Sequence, residues 1–136
     1  MTALLKELAV IGVALLVAAG AVAGLGDRGV LVPPPEMVVE QFVRDVSLKR
    51  WEPARTHLAE PLARRMGPDS LRGFVEAVER RVGPIEDVKG RPFFSTDVAA
   101  EADAEITSAG GDRTTLRLPL SREHGLWKIS RLDAGS

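Results

Sequence analysis

The hydrophobic pattern of this chain changes its period at Gly83-Pro84. Before it, apolar residues recur at helical spacing, as Leu71, Phe74 and Val78 do. After it, apolar and polar residues alternate, which is typical of half-buried strands. Because every helical signal precedes every strand signal, the sequence predicts an α+β domain with helices packed on a mainly antiparallel sheet.

The helical part predicts about three helices. The first covers residues 36–48 and places Val39, Phe42 and Val46 on one apolar stripe. The second runs from Trp51 to about residue 58 and is followed by a further turn after the proline at 61. The third begins at "GPDS" and ends at Gly83, because proline and glycine are start and stop signals.

Four strands are expected in the second part. The first covers residues 85–88, and "RPFFS" would continue it past residue 90. The second, "VAAEADAEIT", has Val98 and the alternate positions after it facing inward. The third carries three alternating leucines and places Arg117 opposite Glu105 or Asp103 as a cross-strand ion pair. The last strand, "LWKISRL", is expected to turn Trp127 and Ile129 inward.

The N-terminus predicts a single-pass membrane anchor within residues 1–30. Residues 8–26 are 19 uncharged residues, which as a helix would span about 28 Å, close to the hydrocarbon core of a bilayer. A cleavable signal peptide remains open, because Ala21-Val22-Ala23 is an acceptable cleavage site. The positive charge at Lys6 favours a domain on the extracytoplasmic side of the cell membrane. Gly20 and Gly24 have the spacing of a helix-pairing motif.

Residues 31–35 form a proline-rich linker, and residues 36–134 form the domain. With 18 basic and 19 acidic residues, the chain lacks the basic excess of a nucleic-acid-binding protein. It has no cysteine, which excludes disulfides and thiolate metal sites. Asparagine is absent and nine prolines are present. This pattern predicts a thermophilic source.

Three stretches carry a resemblance to a known family. They are "FVRDVSLKRWEPARTHLAEPL", with an aromatic followed by Ala54 and Leu58, then "GPDSLRGFVEAV" and "GLWKISRL". Over residues 35–133 this order resembles the nuclear transport factor 2-like superfamily, in particular its small extracytoplasmic members. The resemblance implies a cone whose helices close one side of a curved four-stranded sheet and leave an apolar cavity.

The resemblance also bears on function. Isomerases and dehydratases of this superfamily carry Asp, Tyr or His inside the cone, whereas this chain has no tyrosine and alkyl groups at its predicted inward positions. We therefore expect a non-catalytic, membrane-anchored binding or interaction module with no cofactor and no metal site. A small-molecule isomerase or lyase that uses the cone cavity is the alternative.

Two sets of candidate residues follow from these expectations. The ligand-pocket candidates are Trp51, His57, Phe74 and Trp127. The interface candidates are Leu126, Leu132, Gly20 and Gly24. His57 is expected to be partly exposed rather than to act as a base. The expected partners are the membrane, through residues 8–26, and either a second copy of the chain or another membrane protein.

Overall fold

Four helices precede the sheet in the computed structural model, which describes residues 32–132. They are α1 (Pro35–Ser47), α2 (Trp51–Arg55), α3 (Glu60–Arg65) and α4 (Pro68–Val82). The sequence predicted about three helices, and this number is wrong because residues 60–65 form a helix of their own. Pro61 lies in the first turn of that helix instead of interrupting one, since the first turn has no backbone N–H bond for proline to break.

The two long helices bury the stripes that their spacing predicts. In α1, Val39, Phe42 and Val46 are fully buried, and in α4 Phe74 and Val78 are buried. Proline stands in the first turn of both helices. Gly83 ends α4 with a φ of 100°, a left-handed conformation that glycine adopts without steric cost.

The sheet is a curled antiparallel half-barrel with strand order β1-β2-β3-β4. Its strands are β1 (Ile85–Ser95), β2 (Ala99–Ser108), β3 (Arg113–Glu123) and β4 (Leu126–Ile129). The first strand runs unbroken through Gly90, with irregularities in its register near both ends. The last strand is shorter than the sequence predicted, so Leu132 lies beyond it and packs partly against the core.

The residues on the inner face of the sheet are those that the alternation of apolar and polar residues predicted, except for Val98. The alternate positions of β2 and β3 are buried, and Trp127 and Ile129 turn inward from β4. Val98 was expected to face inward but is 69% exposed, because β2 begins one residue later and Val98 lies in the turn before it. Arg117 pairs with Asp103 at 2.8 Å, which confirms the expected cross-strand ion pair.

Helix α1 lies unusually close to β1. The backbone N–H of Gly90 donates to Glu40 Oε1 at 2.9 Å, and Arg44 Nη2 donates to the carbonyl of Val88 at 2.9 Å. A Cβ atom on Gly90 would lie 2.0 Å from the backbone oxygen of Glu36. The absence of a side chain at this position therefore permits the helix to contact the sheet.

The predicted membrane segment, residues 8–26, and the pairing candidates Gly20 and Gly24 lie outside the described residues. Within residues 32–132, no helix is both long and apolar enough to span a bilayer.

Candidate ligand-binding groove

A groove of about 350 Å³ separates α1 from β4. Its walls come from the first turns of α1, from the two residues that directly follow α2 and from the first residues of β4. The lining residues are Pro33, Met37, Val38, Glu40, Gln41, Thr56, His57, Leu126, Trp127 and Lys128.

The apolar lining follows from where each element begins. Met37 and Val38 lie in the first turn of α1, and Leu126 and Trp127 open β4. Alternation along β4 leaves Leu126 exposed and turns Trp127 inward, where Arg122 places its guanidinium carbon 4.7 Å from the centre of the indole. An indole beside alkyl side chains is a surface suited to an apolar ligand.

The segment that carries His57 is held along the edge of β4. The backbone N–H of Ile129 donates to the carbonyl of His57, and the N–H of Ala59 donates to the carbonyl of Ile129, both at 2.8 Å. Lys128 Nζ donates to the carbonyl of Thr56 at 2.6 Å. This short parallel bridge fixes the backbone of His57 against the groove.

A buried carboxylate lies behind His57. The side chain of Asp45 is 2% exposed, and its Oδ1 accepts a hydrogen bond from Gln41 Nε2 at 2.9 Å. Arg50 Nε lies 3.7 Å from Oδ1, and His57 Nε2 lies 3.5 Å from Oδ2. Because a buried charge is costly unless it is paired, these three side chains compensate the carboxylate.

Asp45 was not among the site residues predicted from the sequence, although its position on the apolar stripe of α1 could have indicated it. Asp45 follows Val38 and Phe42 at intervals of seven and three residues. It therefore shares the face of α1 that enters the core. A charged residue on an apolar helical stripe requires partners, and they could have been sought among nearby cationic side chains.

The direction of the imidazole limits the chemistry of this pair. Nε2 of His57 lies 3.5 Å from Asp45 Oδ2, so the nitrogen farther from the backbone is turned toward the buried carboxylate. A general base must place a nitrogen within hydrogen-bonding distance of the proton that it removes. The nitrogen that remains, Nδ1, is close to a backbone fixed by the bridge to β4. The pair of Asp45 and His57 is better suited to holding α1 against the residues that follow α2 than to proton transfer.

The pocket candidates of the sequence analysis occupy different places. His57, with a quarter of its side chain exposed, and Trp127 line the groove. Phe74 is buried with its ring centre 5.8 Å from that of Phe42. Trp51 is half-buried against the core below the guanidinium of Arg72.

The interface candidate Leu126 lines the groove as well, whereas Leu132 does not. Asp87 and Asp97, two further acids that could serve as catalytic groups, are exposed. Among residues 32–132, no three histidine or carboxylate side chains come together as a metal site would require.

The charged surface of the segment that contains α2 and α3 pairs largely within itself. Arg64 Nη2 donates to Glu60 Oε2 at 2.8 Å, and this hydrogen bond, with the charge of Arg64, lowers the pKa of the Glu60 carboxyl. Arg55 contacts Glu52 at 3.3 Å. These pairs form an ordinary solvated surface.

Replacing Asp45 tests whether the buried carboxylate organises this region. We expect Asp45→Asn to lower the free energy of unfolding by about 1.5–3 kcal/mol, because the buried charge that Gln41, Arg50 and His57 compensate is removed and those partners are left behind. Asp69→Asn is the control, since Asp69 makes a shorter ion pair of 2.8 Å but is 98% exposed. It should change stability by no more than about 1 kcal/mol. Urea denaturation of both variants decides the matter, and equal effects would show that the cluster has no special role.

Comparison with known proteins supports the fold. No family model matches the sequence, and no curated protein matches it. A crystal structure described as "Putative NTF2-like transpeptidase", from Campylobacter jejuni, superposes with a TM-score of 0.58 at 11% sequence identity. The match covers 74% of this chain and 100% of that chain. The domain therefore has a nuclear transport factor 2-like fold, as the sequence resemblance implied.

Proposed function

We propose that this chain, with its nuclear transport factor 2-like domain, is a non-catalytic binding module anchored to a membrane on the extracytoplasmic side. The groove between α1 and β4 takes the apolar part of its ligand. The anchoring rests on the apolar run of residues 8–26, which has the length of a bilayer core.

One observation carries the binding function. The groove is lined by Met37, Val38, Leu126 and Trp127, while its histidine is turned toward buried Asp45. Apolar walls with a few polar groups are typical of ligand sites. Acid–base catalysis needs a group free to reach the ligand, whereas Nε2 of His57 points toward Asp45 behind the wall of the groove.

The alternative function is a small-molecule isomerase or lyase, and the proximity of His57 and Asp45 supports it. A carboxylate beside a histidine is a frequent acid–base arrangement, and His57 does line the groove. Proton exchange next to the carbonyl of a small ketone, present in the unaltered chain and lost in His57→Gln, would establish that activity.

The activity in the name of the Campylobacter protein does not extend to this chain on the strength of a shared fold. The groove has no serine among its lining residues, and the chain has no cysteine. Neither of these two acyl-transfer nucleophiles is therefore present among the residues that line the groove.

The groove is tested with a dansyl-labelled fatty acid, whose emission reports energy transfer from the two tryptophans of the chain, one of which, Trp127, lines the groove. We expect Leu126→Asp to weaken binding about 10–100-fold, because burial of one leucine side chain contributes about 1.5–3 kcal/mol. The matched control is Leu48→Asp, since Leu48 is 59% exposed and does not line the groove. Equal affinities for the two variants, or no binding to the unaltered chain, would refute the proposed site.

A further inference from the structure

Several exposed apolar side chains of this domain lie at one end. Seven large hydrophobic residues are exposed within residues 32–132. Four of them lie at the end of the domain where α1 begins, and we call these four the apolar rim: Met37, Phe94, Val98 and Leu126. Phe93 lies under the guanidinium of Arg117, and Leu48 follows the last turn of α1 at the opposite end.

The packing of α1 against β1 places Phe94 at that end. Contacts from Glu36 and Glu40 reach Gly90, and Arg44 reaches Val88. The helix and the strand therefore run in opposite directions. Residues of β1 beyond Gly90 continue past the first turn of α1, toward the end of the domain where that helix begins.

The turns of the sheet bring the remaining members together. The β1–β2 turn and the β3–β4 turn lie at the same end of an antiparallel meander. The backbone N–H of Arg122 donates to the carbonyl of Val98 at 3.2 Å. This hydrogen bond links the β1–β2 turn to the end of β3, next to the β3–β4 turn. Leu126 begins β4 at this end and shares the groove with Met37.

Solvent-exposed clusters of this kind commonly mark an interaction surface. We infer that the apolar rim rests on the lipid surface and inserts its side chains into the interface between headgroups and acyl chains. This inference rests on the proposed membrane anchoring and adds a second contact, made by the domain itself.

The length of chain outside the described residues identifies lipid as the partner. Val32 stands six residues after the end of the apolar run at residue 26. Fully extended, that stretch spans no more than about 20 Å. If the apolar run crosses the bilayer, the end of the domain that carries the rim is held close to the lipid surface.

The charges near the rim indicate how it would bind. Arg91 pairs with Glu105 at 2.7 Å. Arg122 at the end of β3 is accompanied by Glu123, by Asp97 in the β1–β2 turn and by Glu36 in the first turn of α1, so no basic excess is present at this end. Interfacial binding then depends on buried apolar area and not on attraction to anionic lipids.

The rim also bears on the ligand of the groove. Met37 and Leu126 belong to both the rim and the groove. With the rim on the lipid surface, the groove opens toward the bilayer. Its ligand class is then a lipid-soluble or acyl-bearing molecule.

The absence of cysteine permits an experiment on the full chain. Phe94→Cys, Val98→Cys and the control Leu48→Cys are spin-labelled and reconstituted into phosphatidylcholine vesicles. We expect the two rim labels to lose collisions with a water-soluble nickel complex and to gain collisions with oxygen. The label at residue 48 should remain accessible to the nickel complex. Circular dichroism confirms that each variant is folded.

The outcomes separate the rim from the anchor. If the chain floats with the vesicles, resists carbonate extraction and shows rim labels as accessible as the control, the anchor stands and the rim inference is wrong. If the chain does not float with the vesicles, both are wrong.

Two further results would also overturn the rim inference. If high salt abolished the protection of the rim labels from the nickel complex, the domain would be held to the lipid by electrostatic attraction and not by apolar insertion. Spin–spin broadening at both rim positions would mean that the rim pairs with a second copy of the chain.

Discussion

Substituting Gly90 by alanine should destabilise the domain by about 3 kcal/mol or more, although it adds only one methyl group. The added Cβ would lie 2.0 Å from the backbone oxygen of Glu36 and 3.0 Å from Cβ of Glu40. Backbone cannot rotate away as a flexible side chain can, so α1 would have to move off the sheet. The hydrogen bond from the Gly90 N–H to Glu40 would be strained or lost.

The measurement is urea denaturation of a fragment that begins at Val32. Gly73→Ala is the matched control, because Gly73 lies inside α4 with no atom within 4 Å of an added Cβ. That variant should be more stable by about 0.5–1 kcal/mol, since alanine favours a helix over glycine. A neutral Gly90→Ala would show that α1 does not pack against β1 as described.

Truncating Phe74 to alanine should cost about 3–5 kcal/mol of unfolding free energy. The ring of Phe74 is 7% exposed and lies against the ring of Phe42. Its removal would leave a cavity where α4 meets α1, because neighbouring backbone cannot collapse fully into the space.

Phe94→Ala provides the comparison within one residue type. Phe94 is 46% exposed, and in water its loss should change stability by no more than about 0.5 kcal/mol. If Phe74→Ala were as mild as Phe94→Ala in the same denaturation experiment, the helical face assigned to α4 would be wrong. A large effect at Phe94 would instead mean that the rim belongs to the core of the fold.

The two phenylalanines show how burial assigns different roles to similar residues. Phe74 stabilises the fold because it is buried, whereas Phe94 is available to a partner because it is not. The groove lies beside the rim and shares Met37 and Leu126 with it. Proposals for a ligand and for a lipid contact therefore concern neighbouring parts of one surface.

The order of elements and their inward faces could be predicted from the sequence. The stripe of α1 and the inward direction of Trp127 and Ile129 were both expected and are both present. Hydrophobic period is a local property, because the repeat of a helix or strand decides which positions share a face. The pairing of Arg117 with Asp103 followed from the same alternation on two neighbouring strands.

The hydrophobic pattern did not predict the residues at which some helices and strands begin and end. Pro61 lies in the first turn of α3 and does not merely interrupt a helix. The strand β4 ends at Ile129, so Leu132 leaves the strand that was predicted to carry it. Val98 has the right parity for the inner face but lies in a turn. Such boundaries depend on which neighbouring strand is present to bond, and this is not a property of the segment alone.

An α+β domain, its inward faces and its apolar N-terminal run follow from the order of residues along the chain. Three features depend on the folded domain: Asp45 contacts His57, Gly90 contacts the backbone of α1, and four exposed apolar residues share one end. These residues are distant in sequence, and no repeat along the chain relates them. Their proximity depends on the curl of the sheet and the direction in which α1 crosses it, which the packing of the whole domain sets.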